Sequence, residues 1–306
     1  MNAAHPFRRS WILSGPTGSG KTEFALRLAE QANAEIVAMD SMTLYHGMDI
    51  GTAKPSAEDR QRVPHHLLDV LEPWESASVA WWLERAAECC REIESRGKRA
   101  LFVGGTPLYL KALLFGLFAG PSANAELRQR LEEEAKRVGV PELHRRLARV
   151  DPIAASRLHP NDLRRIVRAL EVWELTGKPI SDFQEQWRQD SHSELRSHCW
   201  WLNRPRAELV ARISARVEKM IEAGWIDEAR RLRELRKPLS RQAFQALGYQ
   251  QIFDYLDGQR DLKATIELIQ TRSRQFAKRQ LTWFRSLPQC RPIPVSGDAL
   301  EVKLIE

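Results

Sequence analysis

The sequence predicts an α/β protein with a parallel β-sheet core, an inserted all-helical subdomain and additional C-terminal helices. Two observations support this prediction. The first is a set of four continuous apolar runs, which are typical of strands covered on both faces: Trp11–Leu13, Glu35–Met39, Arg99–Val103 and His198–Leu202. The second is the interval of almost a hundred residues between the third and fourth runs, in which the apolar periodicity is mostly helical.

Helical patterns follow the early strands. The spacing of apolar residues predicts one helix over Thr22–Ala32, directly after a glycine-rich turn, and another from about Val79 to Ser95. An apolar strand, a turn and a helix in succession are the unit from which parallel sheets are built. We therefore expect residues 1–120 to form the first part of the core.

The long interval contains two clear amphipathic helices. One is marked by Leu127, Leu131 and Val138. The other begins at Asn161 or Asp162 and ends at Gly177 and Pro179, as capping preferences predict; its apolar positions are Leu163, Ile166, Val167, Leu170 and Trp173. We therefore expect residues 121–197 to form the inserted helical subdomain.

Basic helices follow the fourth strand, in residues 198–306. Pro205 opens one helix and Gly224 caps it, with an apolar stripe of Leu209, Ile213, Val217, Met220 and Ile221. The last long helix runs from about Ala264 to Arg285, and its predicted buried positions are Ile266, Ile269, Phe276 and Trp283.

Charge and composition exclude several classes of protein. The net charge of +7 is uneven, because residues 1–120 sum to −1 and the remainder to +8. A basic rear half suggests binding to a polyanion such as nucleic acid, although ordinary solvation also accounts for it. No apolar run approaches the roughly 20 residues that span a bilayer. With no secretion signal and four cysteines in no disulfide or metal pattern, we expect a cytoplasmic protein with reduced thiols.

The most specific motif follows the first strand. Its residues match G-x-x-x-x-G-K-[ST] between a strand and a helix, the context that a phosphate-binding P-loop requires: Gly15, Pro16, Thr17, Gly18, Ser19, Gly20, Lys21 and Thr22. Backbone N–H groups and Lys21 can hold a diphosphate or triphosphate, while the Thr22 hydroxyl can bind Mg²⁺. A chance glycine-rich turn is the alternative. The motif makes the predicted fold P-loop NTPase-like.

A single acid completes the predicted site. The strand that ends at Met39 is followed by Asp40, whereas the strand that ends at Val103 is followed by Gly104-Gly105-Thr106. In a parallel sheet these strand ends lie at one edge, so Asp40 should lie beside the P-loop. Asp40 could coordinate Mg²⁺ through water, act as a general base, or only cap a turn.

Further motifs together resemble the tRNA dimethylallyltransferases. They occur in the order of that family and span roughly residues 12 to 285. Besides the P-loop and Asp40-Ser41 with Tyr45, they are Met48-Asp49-Ile50-Gly51-Thr52-Ala53-Lys54-Pro55, Pro64-His65-His66-Leu67-Leu68-Asp69, Val103-Gly104-Gly105-Thr106, His159-Pro160-Asn161-Asp162, Gly248-Tyr249 and Ala277-Lys278-Arg279-Gln280.

The resemblance implies transfer of a dimethylallyl group from dimethylallyl diphosphate to the exocyclic N6 of the adenine 3′ of the anticodon in tRNA. It implies Mg²⁺ as cofactor and a P-loop that holds the leaving diphosphate. Asp40 would accept the amino proton, Thr106 would line the channel where the substrates meet, and Arg216 would reach the diphosphate. A solvated helix face is the alternative for Arg216. We expect a monomer that binds no membrane.

The family pattern also implies contacts with the anticodon stem-loop of tRNA. The positions are Asp40, Ser41, Met42, Thr43, Arg164, Arg165, Ile166, Val167, Arg168, Gln245, Ala246, Leu247, Gly248, Tyr249, Gln250, Lys278 and Arg279. Gly248 would let the backbone approach RNA closely. Thr43 and Arg164 stand where many members carry glutamine. Without the family, a small-molecule P-loop kinase and a non-catalytic RNA-binding module remain alternatives.

Overall fold

The computed structural model describes residues 6–117, 120–189 and 198–297. The chain divides into two compact units. The first combines Met1–Leu114 with His192–Glu306, and the second is Phe115–Ser191. The second unit therefore interrupts the sequence of the first.

A six-stranded parallel sheet forms the centre of the first unit, in the order β3-β2-β4-β1-β5-β6. Its strands are β1 Trp11–Ser14, β2 Ala34–Ala38, β3 His65–His66, β4 Arg99–Gly104, β5 Cys199–Asn203 and β6 Arg291–Pro294. The four apolar strands predicted from the sequence are confirmed. The two edge strands were not predicted, because β3 is only two residues long and β6 contains two prolines, which suit an edge.

Helices connect the strands of this sheet. In chain order they are α1 Lys21–Gln31, α2 Ala57–Arg62, α3 Val79–Ser95 and α4 Pro107–Phe115, and, after the second unit, α10 Arg206–Glu222, α11 Trp225–Arg233, α12 Arg241–Phe244, α13 Tyr249–Leu256 and α14 Leu262–Arg285. The predicted helices after β1 and before β4 are confirmed as α1 and α3. Ser78 caps α3 by accepting from the backbone N–H of Trp81.

The sheet packs through fully buried apolar side chains. On one face Trp82 of α3 stacks on Tyr109 of α4, with ring centroids 4.2 Å apart, and meets Phe102 of β4 edge to face. Burial of such rings supplies much of the hydrophobic stabilisation of a core. The four cysteines are free thiols, and Cys90, Cys199 and Cys290 are buried. None of the helices in the described ranges has the length and hydropathy of a membrane span.

The two histidines of β3 have structural partners. The Nε2 atom of His66 lies 2.7 Å from Oε2 of Glu35, and Nδ1 of His65 lies 2.7 Å from the carbonyl of Val63. Glu35 is 3% exposed and also pairs with Arg96 and Lys98. These three side chains hold the pKa of Glu35 at about 2, against the opposing effect of its burial. His66 therefore belongs to an ionic cluster beside the sheet, whereas His65 has a backbone partner.

The C-terminal helices agree with the sequence prediction for α10 but not for α14. In α10 the predicted residues Leu209, Ile213, Val217 and Met220 are buried, and Gly224 follows the helix with φ of 95°. In α14 only Ile269 of the predicted residues is buried; Ile266, Phe276 and Trp283 are half-buried. The stripe that α14 buries includes the polar Ser273 and Gln280 instead.

Five helices make up the second unit: α5 Ala125–Val138, α6 Val140–Val150, α7 Pro152–Arg157, α8 Leu163–Thr176 and α9 Ile180–Gln189. Asp162 caps α8 through the backbone N–H of Arg165, and Gly177 ends it in the left-handed conformation, so both predicted boundaries are confirmed. Glu171 of α8 is fully buried and forms an ionic cluster in this unit. Its carboxylate accepts hydrogen bonds from Arg128, Arg168 and the backbone N–H of Asn124.

Candidate active site

Three neighbouring strands deliver the predicted catalytic segments to one edge of the sheet. The P-loop follows β1, the Gly104-Gly105-Thr106 turn follows β4, and Asp40 follows β2, with β4 between the other two strands. The backbones at this edge are very close, because a Cβ on Gly104 would lie 2.0 Å from the carbonyl oxygen of Met39. Thr106 Oγ1 accepts from the backbone N–H of Ser41 at 3.2 Å. The acid segment and the Thr106 turn are thus directly joined.

The P-loop makes the tight turn that its sequence motif predicts for phosphate binding. Gly15, Gly18 and Gly20 have φ values of 149°, 80° and 95°, which favour glycine. The ammonium group of Lys21, the first residue of α1, donates to the carbonyls of Gly15 and Pro16, both at 2.9 Å. The loop is therefore held in shape by its own lysine.

Arginines after β5 line the other side of the loop. Arg204 Nε donates to the carbonyl of Ser19 at 3.2 Å, and Arg212 Nε donates to that of Gly18 at 3.1 Å. Arg216 is half-buried, and its guanidinium lies 3.4 Å from Thr17 Oγ1. The side chain of Arg216 therefore points towards the P-loop. It is not part of a solvated helix face, which was the alternative considered from the sequence. Arg204 is 3% exposed, and no motif in the sequence indicates it.

Gln280 of α14 is a site residue that sequence reasoning missed. Its Oε1 accepts from the backbone N–H of Thr17 at 2.9 Å, and its Nε2 donates to the carbonyl of Gly105 at 2.7 Å. A polar residue in an apolar helix stripe has no distinctive periodicity, so only the Ala277–Gln280 family motif could have indicated it.

The charged groups of the site shift one another's protonation. Burial, followed by the neighbouring charge of Arg216, lowers the pKa of Lys21 to about 8, although Asp40 opposes this. Burial raises the pKa of Asp40 above its usual value, against the backbone N–H of Met42 and the charges of Lys21 and Arg216. Burial also lowers the pKa of Arg216. A carboxylate with a raised pKa opposite two cations is suited to accept a proton.

The site offers few protein ligands for a cation. Within the described ranges there is no group of three His, Cys, Asp or Glu side chains that could hold a metal. Mg²⁺ at phosphate sites usually keeps several waters and takes one or two protein ligands besides phosphate oxygens. The exposed Thr22 hydroxyl at the start of α1 and the acid Asp40 fit that donor set.

The RNA-binding residues predicted after Asp40 lie in the turn that Asp40 organises. Asp40 Oδ1 accepts from the backbone N–H of Met42 at 2.9 Å, and Thr43 Oγ1 donates to the carbonyl of Asp40 at 3.3 Å. Ser41 and Met42 are half-buried, whereas Thr43 is only 8% exposed. The predicted Lys278 and Arg279 are exposed on α14.

The segment Gln245–Gln250 is only partly available for RNA. Gln245 and Gln250 are exposed and Leu247 is half-buried, but Ala246 and Tyr249 are buried. The expected reason for Gly248 is corrected by the structure: a Cβ there would lie 2.0 Å from Cη2 of Trp225. The glycine is needed for the indole ring and for its φ of 94°.

A buried carboxylate ties this segment to the Met48–Pro55 loop. Glu228 of α11 accepts from the backbone N–H groups of Asp49, Ile50 and Gly51 at 2.8–3.1 Å, and from the Tyr249 hydroxyl at 2.6 Å. Burial and the Glu228 carboxylate raise the pKa of Tyr249 far above its usual value. The sequence did not single out Glu228.

The five residues predicted for RNA binding in the second unit have different environments. Arg164 and Arg165 are exposed, and Arg165 pairs with Asp162. Arg168 is half-buried and pairs with Glu171. Ile166 and Val167 are 0% and 3% exposed and lie in the core of the unit. Their side chains pack inward, which corrects the expectation that they contact RNA.

The fold and site define a class: P-loop α/β proteins in which a phosphate loop faces a single acid across a Gly-Gly-Thr turn. Comparison of the chain with models of known protein families supports this assignment. The family model described as IPP transferase matches residues 43–287, and one described as isopentenyl transferase matches residues 9–69. The chain therefore belongs to the IPP transferase family, whose members include the tRNA dimethylallyltransferases.

Individual relatives support the same family. A tRNA dimethylallyltransferase of Geobacter metallireducens is 47% identical over 274 residues, which cover 90% of this chain and 88% of that protein. The crystal structure of a tRNA isopentenylpyrophosphate transferase from Bacillus halodurans is similar with a TM-score of 0.66 and 39% identity, over 95% and 92% of the two chains. A eukaryotic dimethylallyltransferase described as acting on tRNA is similar with a TM-score of 0.77 and 26% identity, over 93% and 73%.

Proposed function

We propose that this protein transfers a dimethylallyl group from dimethylallyl diphosphate to the exocyclic N6 of the adenine 3′ of the anticodon in tRNA. The observation that carries the proposal is the placement of the P-loop and Asp40 at adjoining strand ends, joined by the Gly104–Thr106 turn. One side of such a site suits a diphosphate, and the other suits a nucleophile that must lose a proton.

The chemistry is a displacement at C1 of the isoprenoid. The N6 lone pair forms a bond to C1 while the bond from C1 to the diphosphate oxygen breaks. Backbone N–H groups of the P-loop, Lys21 and Arg216 stabilise the negative charge that develops on the diphosphate. Asp40 accepts the proton that N6 loses, and Thr106 lines the point at which the substrates meet.

Mg²⁺ is the proposed cofactor. The Thr22 hydroxyl would hold it, with diphosphate oxygens and water as the other ligands. When bound, the ion neutralises part of the diphosphate charge. The chain's own cations act on the same charge, so the site combines several positive groups around the leaving group.

The tRNA is proposed to bind through both units. Arg164, Arg165 and Arg168 of the second unit contact phosphates of the anticodon stem. The Asp40–Thr43 turn, exposed residues of Gln245–Gln250, and Lys278 with Arg279 contact the loop. The target base cannot react while it is stacked, so it is flipped out towards Asp40. The protein acts in the cytoplasm as a monomer.

A labelling experiment tests the proposal. The protein is incubated with isoprenoid-labelled dimethylallyl diphosphate or with γ-labelled ATP, with and without unmodified tRNA. We expect isoprenoid label in RNA only when tRNA is present. A matched tRNA with hypoxanthine in place of the target adenine has no exocyclic amine and should take up no label. Phosphate label in a small molecule, with no isoprenoid label in RNA, would instead indicate a kinase.

A further inference from the structure

The contacts of Gln280 connect the two halves of the site across 263 residues of sequence. The side chain is 3% exposed and uses both ends of its amide. Its oxygen accepts from the backbone of Thr17 in the P-loop, and its nitrogen donates to the carbonyl of Gly105 at the end of β4. Both partners are backbone groups, so the bridge fixes the distance between two loops.

The space around this bridge leaves little freedom. A Cβ on Gly105 would lie 2.7 Å from Gln280 Nε2, 3.1 Å from the carbonyl of Gly15 and 3.7 Å from the ammonium of Lys21. The next residue, Thr106, accepts from Ser41 beside Asp40. A continuous path of short contacts therefore runs from the P-loop through Gln280 and Gly105 to the proton acceptor.

We propose that Gln280 is a positioning residue, which sets the spacing between the diphosphate cradle and the Asp40–Thr106 side of the reaction. The inference rests on the proposed function. A displacement needs the attacking nitrogen, C1 and the leaving oxygen in one geometry, and a 1 Å misplacement can cost about 100-fold in rate. Since Gln280 touches neither substrate in this role, it acts through Thr17 and Gly105.

A glutamine suits this role because one planar group must both accept and donate. Methionine has a similar length but would leave the Thr17 N–H and the Gly105 carbonyl without partners. Glutamate keeps the shape and the acceptor for Thr17, but places an oxygen against the Gly105 carbonyl. These two substitutions therefore separate loss of the whole bridge from loss of one half.

The test compares Gln280→Met with Gln31→Met, which makes the same change at an exposed glutamine at the far end of α1. Steady-state transfer to tRNA is measured for both. We expect kcat of Gln280→Met to fall by about 100-fold while KM for dimethylallyl diphosphate stays within about threefold. Gln31→Met should match the parent protein. Equal kcat for Gln280→Met and Gln31→Met would overturn the inference.

A double-mutant cycle with Thr106→Val separates positioning from simple loss of stability. If Gln280 acts through the Gly105–Thr106 turn, the double variant should be little slower than the slower single variant. Multiplied rate losses in the double variant would contradict the proposed path. Should Gln280→Met unfold early, Gln280→Glu replaces it: the oxygen it places against the Gly105 carbonyl should also lower kcat, and a kcat equal to that of Gln31→Met would overturn the inference. If the parent protein transfers no label to tRNA, the proposed function fails instead.

Discussion

Removing one oxygen acceptor from Glu228 should destabilise the first unit strongly. Glu228 is 3% exposed, and its Oε2 accepts from the backbone N–H groups of Asp49 and Ile50 at 2.9 and 2.8 Å. The change Glu228→Gln preserves shape but supplies one amide NH₂, which cannot accept. If the NH₂ takes the Oε2 position, the N–H groups of Asp49 and Ile50 lose their acceptor. If it takes the Oε1 position, only the N–H of Gly51 does, because the Tyr249 hydroxyl can turn and accept from the amide.

The magnitude follows from these hydrogen bonds. Leaving one buried donor unsatisfied costs about 1–3 kcal/mol, and hydrogen bonds to a charged group are at the upper end of the range. Since the amide can take the orientation that leaves one backbone donor unsatisfied, we expect Glu228→Gln to lower the free energy of unfolding by about 1–3 kcal/mol. Because Tyr249 shares the carboxylate, the Gln245–Gln250 segment should lose order as well.

Denaturant unfolding followed by tryptophan fluorescence measures the effect, since Trp225 packs against Gly248 in the same cluster. Glu222→Gln is the matched control, because Glu222 is exposed near the end of α10. Surface changes of this kind usually stay within about 0.5 kcal/mol. A loss below about 1 kcal/mol for Glu228→Gln would refute the argument that these backbone groups depend on the carboxylate.

Three further outcomes are expected. Asp40→Asn should lower kcat for transfer by about 100- to 10,000-fold, as loss of a general base does. Calorimetry should still detect binding of dimethylallyl diphosphate to this variant. An unchanged kcat would contradict the role of Asp40 as the base. The pH profile of kcat/KM should be bell-shaped. Activity should fall at high pH because Lys21 loses its charge above its pKa of about 8, and at low pH because Asp40 is protonated as pH falls through its raised pKa. A kcat/KM that still rises at pH 9.5 would argue against the role of Lys21. Arg164→Ala should reduce the salt dependence of tRNA binding by about one phosphate contact in filter-binding assays, and an unchanged slope would remove Arg164 from the interface.

The sequence predicted the parts of the fold that depend on apolar pattern. Strands β1, β2, β4 and β5 are continuous apolar runs because both faces of a parallel sheet are covered, and this signal is strong. Strand β6, in contrast, has a proline at every second position and lies at an edge, where a missing N–H is tolerated. Nothing in its composition indicates a strand until its pairing with β5 is known.

The site was predictable only where function leaves a local motif. The P-loop has such a motif, since the turn, lysine and hydroxyl are consecutive residues. Gln280 and Glu228 have no such motif, because each side chain forms hydrogen bonds with backbone groups that are far away in the sequence. The α14 stripe was misjudged for the same reason: the face of this helix that meets the P-loop must carry a hydrogen-bonding side chain.

The two predicted RNA contacts that lie in a core, Ile166 and Val167, illustrate a limit of reading motifs. A motif on a helix includes residues from all sides of that helix, since neighbours along the chain point about 100° apart. Exposed Arg164 and Arg165 share a motif with these buried residues, although only the arginines can reach a polyanion. Helical periodicity in the same sequence already separates them.

The bridge from Thr17 to Gln280 also has a consequence for how the protein is made. The P-loop is synthesised well before its supports Arg204, Arg212 and Gln280, which follow their loop partners by 185, 194 and 263 residues. Strand β1 likewise gains β5 as a neighbour only after the second unit has been translated. Domains fold as units during synthesis, so the helical second unit can fold while the first still waits for its missing strands. The phosphate site is therefore completed only after the second unit has been synthesised.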